Sequence, residues 1–160
     1  MRTKFYVLWL VAFLAASALI LAPTAHVAHA SASGVVISAV YGGGGNIGAT
    51  YNRDIIELFN AGSSPVAITG WSLQYASSSG SGWSTNLTVL PTATLLPGQY
   101  YLVLAASGAN GAAIPTAADS TSAINMAGTA GKIALVSDST ALTGTDPAPG
   151  PTVVDFVGYG

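Results

Sequence analysis

An all-β fold follows from three observations. Short runs of β-forming residues recur with turn residues between them, no segment carries a convincing helical period, and helix-favouring charged residues are scarce, at 6% of the chain. Candidate strands cover residues 35–41, 55–59, 66–68, 71–76, 87–90, 100–104, 132–137 and 153–157. Strands this short, broken this regularly, belong to a β-sandwich or barrel rather than to alternating strand and helix units.

The elements explain their own limits. Residues 55–59, Ile-Ile-Glu-Leu-Phe, are mostly β-formers, and Asn60-Ala61-Gly62-Ser63-Ser64-Pro65 supplies turn residues after them. Residues 66–73 then alternate apolar with small or polar side chains and pass through Gly70-Trp71. Ser77 to Gly82 is a Ser/Gly connection before Trp83. Leu96-Pro97-Gly98-Gln99 reads as a tight turn, because Pro presets φ at its second position and Gly accepts φ > 0 at its third. The stretch 105–131 is rich in Ala, Gly, Ser and Thr and concentrates neither charge nor aromatics, so it reads as a loosely packed insertion rather than a partner-binding loop.

The first thirty residues stand apart from the fold. Arg2 and Lys4 give a basic start, residues 5–22 are uncharged and apolar, and Ala28-His29-Ala30 has the small-x-small form of a cleavage site. We read residues 1–30 as a secretory signal peptide; an uncleaved N-terminal membrane anchor is the alternative, since the run of 18 residues nears the length of a membrane span. Residues 31–160 then form one domain. Its two cations, Arg53 and Lys132, face six acids, a net charge of −4.

That balance argues against direct nucleic-acid binding, which depends on Lys and Arg displacing counterions from phosphates. Residues 31–160 contain no His or Cys, which removes Ser–His and Cys nucleophile chemistry and nearly all zinc ligand sets. No Asp-x-Asp-x-Asp-Gly run suggests calcium. Gly43-Gly44-Gly45-Asn46-Ile47-Gly48 contains G-x-G-x-x-G, but the next strand begins within a few residues and no helix opens to receive a pyrophosphate. It reads as a loop of flexible or positive φ. The expectation is therefore no catalytic residue, no metal and no cofactor.

The residues that remain informative are framework and binding candidates. Glu57 lies on the opposite strand face from Ile56 and Leu58, with Ile55 and Phe59, and reads as a structural carboxylate paired with Arg53, Lys132 or backbone N–H groups. Arg53 and Asp54 read as surface charges at the strand's start. Trp71 is the expected core anchor. Trp83, Tyr75, Tyr100 and Tyr101 are the candidate partner-binding aromatics; half or more of them should prove to be core, and Tyr100 and Tyr101 must face opposite sides of a strand.

The block Ile56-Glu57-Leu58, Asn60, Gly62, Val66, Ile68, Gly70-Trp71 resembles the lamin-tail domain. The resemblance extends through 35–46, 96–103, 131–136 and 153–160, in the manner of secreted bacterial members. It implies an immunoglobulin-like β-sandwich in which Gly70 and Trp71, with Glu57, are framework residues. Ala39 stands where similar sequences carry an acid, and similar domains continue beyond Gly160, so the resemblance implies a sandwich lacking its last strand. It implies a non-catalytic secreted or cell-surface interaction or targeting module, or the detached accessory domain of a secreted nuclease or phosphoesterase. An adhesin or carbohydrate-binding module is the other expectation. The partner is an unspecified protein or surface glycan.

Overall fold

Ten strands build two four-stranded sheets and a small ribbon in the computed structural model, which describes residues 33–148 and 150–160. In chain order they are β1 (Val35–Tyr41), β2 (Arg53–Asn60), β3 (Val66–Ala67), β4 (Ser72–Ala76), β5 (Leu87–Val89), β6 (Thr94–Leu95), β7 (Tyr100–Ser107), β8 (Ser120–Thr121), β9 (Gly131–Val136) and β10 (Val153–Tyr159). The first sheet runs β1-β2-β7-β8, the second β10-β9-β4-β5, and β3 pairs with β6. Only β7 and β8 pair in parallel among these strands; the other pairs are antiparallel. This is the all-β sandwich expected from the sequence, with sheets consistent with an immunoglobulin-like arrangement. The segment read as a secretory signal lies outside the described residues.

The core follows from period-two alternation. Val35, Ile37, Ile56, Leu58, Tyr101 and Val103 point inward from the first sheet and meet Leu73, Tyr75, Ile133 and Leu135 of the second. Side chains also join the sheets along both sides. Asp155 Oδ2 on β10 accepts the N–H of Ile37 on β1 at 2.6 Å, beside a bulge that leaves Ser38 without a partner in the β1–β2 register. On the other side the hydroxyls of Thr88 and Ser122 lie 2.7 Å apart.

The corner after β2 is organised by Asn60, which is fully buried. Its Oδ1 accepts the N–H of Gly62, and its Nδ2 donates to the carbonyls of Ser64 and Leu95, each within 3.0 Å. A buried amide with its donors and acceptor filled fixes where β3 starts. At the second corner Trp71 N–H donates to Ile68 O, and Gly70 supplies the φ of +78° that this turn needs.

Four expectations fail here. Asp54 is not a surface charge: it is 1% exposed, and its carboxylate accepts the N–H of Gly44 at 2.7 Å and of Met126 at 2.6 Å. It thereby ties β2 to the loop 42–48 and to the chain before β9. Backbone packs closely there, since a Cβ on Gly44 would lie 2.0 Å from the Arg53 carbonyl carbon. The stretch 105–131 is not loosely packed, because β7 extends into it, β8 pairs with β7, and Ile124 and Met126 are buried. Trp71 is only half-buried at the core's margin, whereas Trp83 is fully enclosed. The anchor role passes to Trp83 because segments distant in sequence converge on it. Glu57 pairs with neither cation; its Oε1 accepts the Ser38 hydroxyl at 2.7 Å across the β1 bulge.

A tyrosine–peptide clamp sits beside Asp54. The Tyr159 hydroxyl donates to Ala127 O at 2.7 Å, while Ala127 N–H donates to the Tyr75 hydroxyl at 3.1 Å. Burial pushes the Tyr159 hydroxyl far above the ordinary tyrosine range, with Tyr75 and Asp54 adding to the shift, so it stays a donor. Burial also raises the Asp54 carboxyl, against the N–H groups of Met126, Gly44 and Gly43, which hold it down.

Replacing Trp83 by Ala should cost about 3 to 5 kcal/mol in a denaturant titration, and Trp71→Ala distinctly less. Asp54→Asn places an amide NH₂ against one of two N–H donors, and should cost ~1–3 kcal/mol. Because the folded Asp54 carboxyl is raised, its stabilisation is complete below about pH 3.8 and is lost as pH rises through the folded value. Stability curves of wild type and Asp54→Asn should therefore draw together across that window and run parallel above it. Curves that separate instead would show that the N–H donors outweigh burial.

Candidate functional site

The two outer faces of the sandwich differ. In the second sheet β4 and β9 are buried on both sides. The outward side chains of Ser72, Gln74 and Lys132 are held under residues 138–146, which run across them as a strap. Ser72 Oγ donates to Asp138 O at 2.7 Å; Gln74 Nε2 donates to Thr140 O at 2.8 Å, and its Oε1 accepts Leu142 N–H at 2.9 Å. The Lys132 ammonium donates to the carbonyls of Gly80 and Thr145 and sits 5.6 Å from the centre of the Trp83 ring. Trp83 Nε1 donates to Gly144 O at 2.9 Å. Ala76, Trp83, Ala134 and Val136, with Leu142 and Phe156, form a second apolar cluster there.

Among the described residues no such strap crosses the first sheet. Its outward residues form three cross-strand rows, Val36–Phe59–Tyr100, Ala39–Glu57–Leu102 and Tyr41–Ile55–Leu104, with Arg53 opposite Ser107 beyond the last row. Each of these residues is at least partly exposed, and Tyr100 is 56% exposed. The rings of Phe59 and Tyr100 lie 4.5 Å apart at 33°. Leu96, 56% exposed, follows β6 shortly before Tyr100. Glu57 stands inside this apolar field, and Asp119 lies at its rim, accepting Leu102 N–H at 2.7 Å.

The candidate aromatics do not gather on one surface. Tyr100 reaches the open face, as its strand position requires, and Tyr101 points into the core, 5% exposed. Tyr75 is buried with its hydroxyl committed to Ala127, and Trp83 lies beneath the strap. Trp83, Tyr75 and Tyr101 are therefore core, in line with the expectation that half or more of the four would be, and only Tyr100 of the four stays open to a partner. A Ser/Gly loop before Trp83 made it look exposed, but residues 142–144 fold over it from sixty residues away. The open-face residues overlooked in the sequence are Phe59, Leu102, Ile55 and Leu104. Their signal was the alternation in residues 55–59 and 100–104, which displays apolar side chains on the outer as well as the inner face.

The described residues offer little else to chemistry. No group of three or more His, Cys, Asp or Glu able to hold a metal occurs among them. A shallow depression lies beside the strap, lined by Asp138, Leu142, Pro147 and Thr152, and Asp138 Oδ1 already accepts the N–H of Thr140. No helix among the described residues is long and apolar enough to cross a membrane.

No curated protein matches this chain. The family profile described as Lamin Tail Domain matches residues 28–160, which contain both sheets, the Asn60 corner and the Gly70-Trp71 turn. Since that match covers most of the sequence, the chain belongs to the lamin-tail-domain family.

Proposed function

We propose that this domain is a non-catalytic interaction module, secreted or displayed at the cell surface, that binds a protein partner through the outer face of the β1–β2–β7 sheet. The observation that carries this reading is the contrast between the faces. One is sealed by the chain's own strap, and the other presents Ile55, Phe59, Tyr100, Leu102 and Leu104 in adjacent rows. Contiguous exposed apolar surface on a folded domain is the mark of an association site. Aromatic residues over an aliphatic field, with charge sparse at the centre, match the composition of protein interface cores.

A glycan reading has the Phe59–Tyr100 pair in its favour, because flat aromatic surface stacks on sugar rings. The face gives sugar hydroxyls few partners, however: Glu57 and Ser38 bond one another through one carboxylate oxygen, and Arg53 stands apart at the far end. The chemistry of the face favours protein.

Full-length chain carrying a photo-crosslinking residue in place of Tyr100, expressed in the producing cells, should yield a defined protein adduct. The same residue in place of Ser79, which is exposed on the connection after β4, should yield none. Absence of any Tyr100 adduct would sink the protein-binding reading. Binding on a glycan array that disappears in Tyr100→Ala would replace it with the carbohydrate one.

A further inference from the structure

We infer that the occupant of the open face is a second copy of this chain, stacked sheet on sheet about a two-fold axis that lies between the sheets, perpendicular to β2, and passes at Ile55. The inference rests on the interaction-face reading and adds the partner's identity. Its basis is the placement of two opposite charges. Arg53 and Glu57 lie on the same face of β2, two residues to either side of Ile55. At ~3.3 Å per residue their Cα atoms are about 13 Å apart.

A two-fold axis of this orientation runs β2 antiparallel to the β2 of the second copy. It places Glu57 opposite Arg53 of the second copy and Arg53 opposite Glu57 of the second copy. The row Tyr41–Ile55–Leu104 then meets itself at the centre, giving an apolar middle flanked by one ion pair on either side, with the Phe59–Tyr100 row of each copy lying beyond its Glu57. Packed sheets stand about 10 Å apart, a gap that an arginine and a glutamate span together. An axis along the strands would set Glu57 against Glu57, which like-charge repulsion disfavours.

The charge inventory narrows the choice further. Residues 31–160 hold two cations, and Lys132 is 8% exposed with its ammonium donating to two carbonyls. Arg53 is therefore the cation left to face a carboxylate. Its Nε donates to Ala105 O at 2.9 Å, at the irregularity in the β2–β7 register, which fixes the stem while the guanidinium retains further donors. On the facing group, Glu57 Oε1 takes the Ser38 hydroxyl and leaves Oε2 for a partner. The overlap this axis allows is three strands wide and, from Arg53 to Glu57, about 13 Å long, below the size of stable interfaces, so the dimer is weak and concentration-dependent.

Sedimentation equilibrium on the full chain tests this. Wild type should show a reversible monomer–dimer equilibrium at ~0.1 mM protein. Arg53→Glu and Glu57→Arg should each weaken dimerisation by about a hundredfold or more, and the double variant Arg53→Glu/Glu57→Arg should restore it. A monomeric wild type, or single variants that dimerise like wild type, overturns the inference. If Arg53→Glu fails to fold because it loses its bond to Ala105, Glu57→Arg and a photo-crosslinking residue in place of Ile55, which faces its own counterpart at the axis, decide the question. An adduct of twice the chain mass supports the second copy. An adduct of any other mass at Ile55, or none, overturns it, and the Tyr100 adduct decides separately whether the interaction face stands.

Discussion

Two strands buried on both faces set the terms for the rest of this domain. Once β4 and β9 are covered from outside as well as inside, every outward polar group on them must find a partner or destabilise the fold, because an unpaired buried donor costs roughly 1–3 kcal/mol. Ser72, Gln74 and Lys132 find theirs in the main chain of residues 138–145 and of Gly80. The strap is held by side chains reading backbone, so its own sequence can be Ala, Thr and Gly. Trp83 fills the space beneath it, and the buried ammonium of Lys132 is balanced by carbonyl dipoles and a ring face rather than by a carboxylate.

This arrangement makes the domain asymmetric. Apolar side chains outside β4 and β9 belong to a second core cluster, while those outside β1, β2 and β7 have no covering segment among the described residues. Polar anchoring is equally uneven. Asp54 gathers the loop 42–48 and the chain at Met126, and the two tyrosine hydroxyls grip the next peptide, so the end of the sandwich bearing these loops is fastened by hydrogen bonds where a cysteine-free chain has no disulfide.

Local signals in the sequence were enough for eight of the ten strands and for the lamin-tail assignment. Val35–Tyr41 is delimited as expected, and the Asn60 corner and the turn at Leu96 to Gln99 sit where their turn residues put them. The two-residue strands β6 and β8 left no trace, since a pair of residues has no period. Burial was misjudged where the covering segment is remote. Trp83 depends on Gly144, and Asp54 depends on Met126, seventy-two residues away. The candidate face was half visible: Glu57 was grouped with Ile55 and Phe59 by alternation. Its openness was not, because nothing local tells which of two sheets a later loop will cover.

The side-chain closures along both edges carry a consequence for how this domain can change over time. With Ile37 N–H taken by Asp155 and Thr88 joined to Ser122, strand addition at these edges is discouraged, and a partner must be recognised by side chains that project from a finished sheet. Those side chains alternate with the core residues and do not share their packing. On the proposed interaction face, substitution at Phe59 or Leu102 would therefore alter binding while Leu58 and Val103 continue to specify the fold, so recognition would drift between lineages without a matching toll on folding.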